Sequence, residues 1–287
     1  MIIKLKAGLG NQMFQYALGV LLKEQYGVET VKYDYQYITN YRKKWKLSSV
    51  DNLNTKLSYA TREEKKRLLA DLFIPHTFLY RLSVFVDKTF HRHYYFEKNR
   101  KVISISTLIN YNYIDGYWQS YKYVDSIRNI LLQDFKNRHP LDKSSIDFLH
   151  SIQNLNIVMV GIRLGDYISE HKHYYQCDNN YYNLAMDLIS SKVKNPIFLI
   201  FSNNVELCKK NFKFKYEVIY RENKDYVNDY DELQIMRECK HAIIGNSTFH
   251  WWGAWLIEND DKIVVRPPLW FADGSEIDIF PNDWLTI

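Results

Sequence analysis

Only three cysteines occur in this chain, Cys177, Cys208 and Cys239, and none lies in a CxxC pair. An odd, unpaired set excludes a disulfide framework or a zinc ribbon and reads as reduced thiols in a reducing compartment. Long apolar runs are also missing. The longest, such as "PIFLIF", fall far short of the roughly 18 residues of a membrane helix, and "MIIKLKAGLGNQ" carries no apolar signal core. The expected location is therefore cytoplasmic. Charge of one sign is scarce as well: the net charge of +5 is too small to argue for a nucleic-acid partner, yet compatible with a phosphorylated ligand. No G-x-S-x-G or Cys–His signature appears.

One further absence is local. "IIKLKAGLGNQMFQYALG" reads as strand, glycine turn and helix, the usual cradle for a phosphate, but a dinucleotide loop needs a third glycine where Met13 stands. Asp34 lies near where a ribose-binding acid would fall, 34 − 10 = 24 residues after Gly10, which keeps an NAD-dependent dehydrogenase as a competing reading. Asn11 and Gln12 place amides at the helix start, where they suit sugar hydroxyls or phosphate oxygens.

What is abundant is aromatic: 24 tyrosines, 15 phenylalanines and 7 tryptophans. A flat apolar face beside a polar group suits sugars and bases as well as cores. Along the chain, residues 2–5 read as a strand, Asn11 to about Tyr26 as a helix and "ETVKYDY" as a second strand. From about 41 to 101, basic and apolar residues mix at helical spacing, a helical excursion with a basic surface. Peripheral docking at the inner face of the membrane is its sharper alternative. The polar "NRHPLDKSS" marks a domain boundary, dividing the chain into 1–140 and 141–287. After it, "NIVMVGIRL", "PIFLIFS", "YEVIY", "HAIIGN" and "KIVVRP" alternate with helical stretches. Buried strands separated by helices imply an α/β fold of two Rossmann-like domains, with parallel sheets facing across a cleft.

Three strand ends of the second half carry groups that can meet a ligand. Arg163 closes "VMVGIR", where a guanidinium grips a diphosphate by parallel bonds, or else pairs with Asp166. Ser202 and Asn203 end "PIFLIFS". Asn246, Ser247 and Thr248 follow Gly245 and open a helix, either capping it or leaving its amides for an anion. Trp251, Trp252 and Trp255 are spaced so that at least two pack the core. Asp229-Tyr230-Asp231 matches a cation-holding D-x-D, but Asp231 with Gln234 reads better as a capping box. His91/His93 and His171/His173 lack a third ligand and read as surface histidines.

In order, "GLGNQMFQYA", "DGYWQSYKY", "GIRLGDY", "FSNN" and "CKHAIIGNSTFHWWGAWL" resemble the motifs of glycosyltransferase family 11, the α-1,2-fucosyltransferases, from Lys4 to about Leu256. The resemblance implies a GT-B architecture and an inverting transfer of L-fucose from GDP-fucose. It implies a galactose-type 2-hydroxyl on a bacterial O-antigen or capsule glycan as acceptor, and no metal or other cofactor. By the same resemblance, Arg163 holds the donor diphosphate with Ser247 and Thr248, while Gly8, Gly10, Asn11 and Gln12 face the fucose and the acceptor. Asp166 is the candidate base, or a brace for Arg163. Trp118 and Gln119 shape the acceptor pocket or pack the domain interface. Two departures stand out. The family's His-x-Arg-Arg-Gly-Asp has Gly161 for the histidine and Leu164 for the second arginine, and its Ser-Asp-Asp is Ser202-Asn203-Asn204. These bear on donor-base choice and leave two alternatives, a nucleotide-sugar-binding protein without catalysis and a transferase using another nucleotide sugar. The expected partners are a nucleotide-sugar donor and a glycan acceptor, free or lipid-linked.

Overall fold

A computed structural model describes residues 1–45, 48–67, 82, 85, 94–97, 102–164, 173–221 and 228–287. Two compact units divide at Phe135/Lys136. Lys136–Pro140, which the sequence reading placed in the first domain, go with the second, where Lys136, Asn137, His139 and Pro140 line a recess with Gln234 and Arg237.

The first unit opens with strand β1 (Ile2–Lys4), helix α1 (Leu9–Tyr26) and strand β2 (Lys32–Asp34). Helix α1 is buried through most of its length, from Leu9 to Leu22, and stops at Gly27. That residue takes φ 66°, a left-handed position open to glycine without a Cβ penalty. Helix α2 (Gln36–Trp45) and helix α3 (Arg62–Arg67) follow, then strand β3 (Tyr94–Phe96), a short helix α4 (Ile105–Leu108), strand β4 (Tyr113–Asp115) and helix α5 (Arg128–Asp134). The 41–101 stretch is thus not wholly helical: Tyr94–Phe96 pairs in parallel with Tyr113–Asp115. Its Tyr-Tyr-Phe run suits a pleated, half-buried surface better than a helix. His91 and His93 of that stretch, and His171, lie outside the described residues.

The four strands order β2-β1-β4-β3, all parallel. The chain therefore leaves β1 to one side for β2 and returns on the other side for β4. In open parallel sheets the crevice at such a reversal, beyond the carboxyl ends of the strands, is where ligands bind. In this unit it falls between the loops that follow Lys4 and Asp115.

The second unit holds helix α6 (Lys143–Ile152), strand β5 (Asn156–Ile162), helix α7 (Asn179–Lys192), strand β6 (Pro196–Ser202), helix α8 (Val205–Asn211) and strand β7 (Val218–Tyr220). Helix α9 (Asp229–Arg237), strand β8 (His241–Ile244), helix α10 (Thr248–Leu256), strand β9 (Val264–Arg266) and strand β10 (Leu285–Thr286) complete it. Strand β10 was not foreseen. The six-stranded order is β10-β9-β8-β5-β6-β7, again parallel. Continuous apolar runs such as Ile157–Ile162 result because both faces are covered. On one face Val158, Val160, Phe198 and Ile200 pack with Tyr182, Met186 and Ile189 of α7. Burying each such side chain contributes about 1.5–3 kcal/mol. Here the reversal lies between β5 and β8. Trp251, Trp252 and Trp255 are all buried, as helical spacing implied.

The start of α9 differs from the expected capping box. Asn228, not Asp231, is the N-cap; its Oδ1 accepts from the Asp231 N–H at 2.8 Å. Asp231 is buried and accepts from Asn137 Nδ2 at 2.6 Å. Among the described residues no helix is long and apolar enough to cross a membrane.

Candidate active site

Hydrogen-bond register places the three strand ends of the second unit side by side. Ile162 pairs with Ser202, and Gly161 with Ile244. Arg163, Asn203 and Asn246 consequently emerge at one carboxyl edge, and Arg163 and Ser247 flank the β5/β8 reversal. Asp166, the candidate base, lies outside the described residues.

Ser247 is the N-cap of α10. It is extended at φ −115°, and its Oγ accepts from the His250 N–H at 3.5 Å. Thr248 is the first helical residue. The capping reading and the anion reading are compatible here, because a cap takes one first-turn amide while the others and the helix dipole remain directed at the same point. Asn246 is buried: its Nδ2 donates to Tyr175 O at 2.5 Å and to Trp270 O at 2.9 Å. It anchors two neighbouring segments to the strand end.

The "FSNN" side chains are engaged with backbone groups. Ser202 Oγ accepts from the Asn204 N–H at 3.2 Å, and Asn204 caps α8. Asn203 Oδ1 accepts from the Leu164 N–H at 2.8 Å while its Nδ2 donates to Leu164 O at 2.7 Å. An amide can both accept and donate; an aspartate can only accept. Asparagine at 203 thus has a local cause: it clasps both polar groups of the residue after Arg163 and fixes where that arginine leaves the sheet.

His250 was missed in the sequence. Its side chain is buried, its ring lies against Gly161, and its Nδ1 has no hydrogen-bond partner. A Cβ at Gly161 would stand 2.5 Å from His250 Cγ and 2.6 Å from Nδ1. Burial, and then the charge of Arg163, push the His250 pKa down to about 3. The imidazole is therefore neutral at physiological pH, and Arg163 is the nearby cation. The missing histidine at Gly161 has a steric counterpart, since a ring from α10 already fills that space. Only a glycine abutting a helical histidine signals this, and adjacency across the sheet is not visible in one dimension.

In the first unit, Gly8 is the N-cap of α1, with Asn11 N–H donating to its carbonyl at 3.0 Å. Gln12 is fully buried: Nε2 donates to Ala7 O and Ser48 O, both at 2.9 Å, and Oε1 accepts from the Val50 N–H at 3.1 Å. It ties the glycine loop to residues 48–50. Gly10 is buried and Asn11 half-buried. Gln119 Nε2 donates to Asn11 Oδ1 at 2.6 Å, so two expected site residues from distant motifs meet. Gln15 links the same loops, accepting from Lys6 N–H at 2.9 Å and donating to Gly116 O at 3.1 Å. Trp118 is 1% exposed and presents no open face. The preceding Tyr117 is half-buried, with Lys6 Nζ 4.4 Å from its ring centroid. Ala7 (φ 64°) and Trp118 (φ 57°) are left-handed without being glycine. Such positions carry strain on the order of 1–3 kcal/mol and gather at functional sites.

Asp115 beside them is structural. Burial works to raise its pKa, but Lys4 at 2.9 Å and Lys6 at 2.5 Å outweigh it and hold the carboxylate below its usual range. Asp34 accepts from Lys65 Nζ at 3.0 Å and Tyr113 Oη at 2.7 Å and is buried. It is not placed as a ribose acid, and the dinucleotide reading loses its support. Among the described residues no cluster of three or more His, Cys, Asp or Glu is arranged to hold a metal.

The chain is similar to the O-antigen biosynthesis glycosyltransferase WbnK of Escherichia coli, 28% identical, covering 99% of each chain. It is also 28% identical to an alpha-1,2-colitosyltransferase of Escherichia coli, covering 100% of this chain and 98% of that one. Among solved structures it is similar to the fucosyltransferase NodZ from Bradyrhizobium, at a TM-score of 0.48 and 12% identity over 88% of this chain and 90% of that chain. The model for glycosyl transferase family 11 matches residues 1–287, and the chain belongs to that family of glycosyltransferases.

Proposed function

We propose that this glycosyltransferase moves L-fucose from GDP-fucose to the 2-hydroxyl of a galactose-type unit in a bacterial surface glycan, with inversion at the transferred carbon. The observation that carries the reading is the junction of β5 and β8. Arg163 leaves one strand end while Ser247 opens α10 at the next, with a neutral imidazole packed between. Breaking the sugar–phosphate bond leaves GDP, so negative charge grows on the β-phosphate. A fixed guanidinium and a helix N-terminus stabilise that charge without reorganising. Asn203 and His250 hold the Arg163 segment, which lowers the cost of placing it. The acceptor hydroxyl gives up its proton as it attacks; Asp166 remains the proposed base. Asn11 and Gln119, joined to each other, are proposed to meet the sugars, with Gly8 and Gly10 allowing close approach. Gln12 and Trp118 support that surface from beneath.

A second reading is favoured by one relative: a colitosyl donor in place of fucosyl, since the chain matches an alpha-1,2-colitosyltransferase over its full length. Incubation with a panel of nucleotide sugars, scoring release of nucleoside diphosphate, separates the two. Turnover of GDP-fucose supports the first reading, turnover of GDP-colitose alone the second, and turnover of only uridine or adenosine donors removes both.

A further inference from the structure

Glu97 directly follows strand β3, and its carboxylate reaches the loop after β4. Glu97 Oε2 accepts from the Tyr117 N–H at 2.6 Å and lies 3.4 Å from the Trp118 N–H, which also donates to Oε1 at 3.3 Å. Two consecutive amides converging on one anion form a nest, and the left-handed backbone of Trp118, at φ 57°, sets the direction in which the chain continues to Gln119. A bulky aromatic does not adopt that conformation without being held. The holding is dense. The Glu97 N–H itself donates to Asp115 O at 2.9 Å, so the side chain is anchored where it begins. A Cβ at Gly116 would stand 2.7 Å from both Glu97 Cβ and the Trp118 ring, which leaves room there only for glycine. The residue after the strained tryptophan is Gln119, whose amide reaches Asn11 at 2.6 Å.

We propose that Glu97 is a positioning residue for acceptor recognition: its carboxylate clamps the Tyr117 and Trp118 amides, fixing the loop that sets Gln119 against Asn11 and the Tyr117 ring over Lys6. The two amides it holds belong to the loop after β4 in the first unit, and the clamp is assigned to the acceptor side on that ground. Charge matters to it. Charge-assisted bonds to backbone amides are roughly twice as strong as neutral ones, and glutamine at this position keeps one accepting oxygen. The inference rests on reading the Trp118–Gln119 stretch as acceptor-side.

The test uses the full chain with Glu97→Ala and Glu97→Gln. Three quantities are read: the Kd for GDP by titration calorimetry, steady-state transfer from GDP-fucose to lactose, and amide hydrogen exchange over 113–121. The expected result for Glu97→Ala is a GDP Kd within twofold of the parent, a fall of at least tenfold in kcat/KM for lactose, and exchange at least tenfold faster over 113–121 but unchanged over 156–162. Glu97→Gln is expected to fall between the two, and it decides the matter if the alanine variant does not fold. Transfer and exchange both within twofold of the parent overturn the proposal, as does an equal loss of GDP affinity and transfer. If the parent turns over no fucosyl donor, the proposed function falls, while unchanged exchange in Glu97→Ala remains what overturns the clamp.

Discussion

Replacing Gly161 with alanine adds one methyl group at a point where the structure has no room for it. The new Cβ meets His250 at 2.5 Å from Cγ, 2.6 Å from Nδ1 and 2.7 Å from Cβ, against ordinary contacts of 3.4–4 Å. These atoms sit at the root of a side chain, on a helix anchored by three buried tryptophans, so they cannot swing aside. Strand β5 or helix α10 must shift by close to an ångström. Overpacking of this kind costs about 1–3 kcal/mol, and because Arg163 follows two residues later, a displacement of ~1 Å there can lower turnover about 10²-fold. Removing the obstructing atoms should reverse part of the loss. His250→Gly alone opens a cavity and weakens the helix, costing roughly 2–5 kcal/mol. Together with Gly161→Ala, the two should be less damaging than the sum, with a coupling of at least ~1 kcal/mol. Urea unfolding of the four proteins gives the cycle, and donor turnover gives its functional counterpart. Additivity within ~0.5 kcal/mol would refute the argument that the imidazole occupies the place of a side chain at 161.

Other consequences follow from single contacts. Asn203→Asp keeps the acceptor for the Leu164 N–H but turns a donor into an anion facing Leu164 O, so thermal melts should show a loss of about 1–3 kcal/mol and turnover should fall with it. Glu232 is buried on α9, and burial raises its pKa from 4.5 to about 8, opposed by the charge of Arg221. Because the folded pKa lies above the unfolded one, its contribution to stability is complete below pH 4.5 and is lost as pH rises through 8. Glu232→Gln should flatten that decline, seen as a higher melting midpoint at pH 8 than the parent; an unchanged pH profile contradicts it. His250 has the opposite sign. Its pKa falls from 6.5 to about 3, so its contribution is complete above 6.5 and lost as pH drops toward 3. His250→Gln should reduce acid sensitivity over that window in melts at graded pH.

Much of this architecture is legible in the sequence. Runs such as "VMVGI" and "PIFLIF" are apolar because they are covered on both faces, and their period and length identify parallel strands directly. The residues at their ends followed, so Arg163, Asn203 and Ser247 were placed at one edge from the pattern alone. Strand order was not legible. Nothing local tells that β5 has β6 on one side and β8 on the other, and the reversal that makes a crevice arises from that order. Nor was the use of each amide. Gln12, Asn203 and Asn246 each hold backbone groups whose owners lie 36, 39 and 71 residues away in sequence. Strand β3 was lost in a basic, mixed stretch where three aromatic residues gave too short a pattern to outweigh the surrounding helical spacing. His250 needed two facts at once, a glycine on one strand and a ring on a helix beyond the next.

Charge stabilisation on the departing diphosphate falls to the guanidinium of Arg163, directly after β5. Initial rates of GDP release from GDP-fucose, measured for the parent and for folded Arg163→Ala, test it most directly. Loss of one well-placed charge-stabilising donor predicts a decrease of about 10²–10³ in kcat, with Arg163→Lys recovering only part of it because a single ammonium cannot make the paired bonds of a guanidinium. Turnover by Arg163→Ala within a few-fold of the parent would contradict the account.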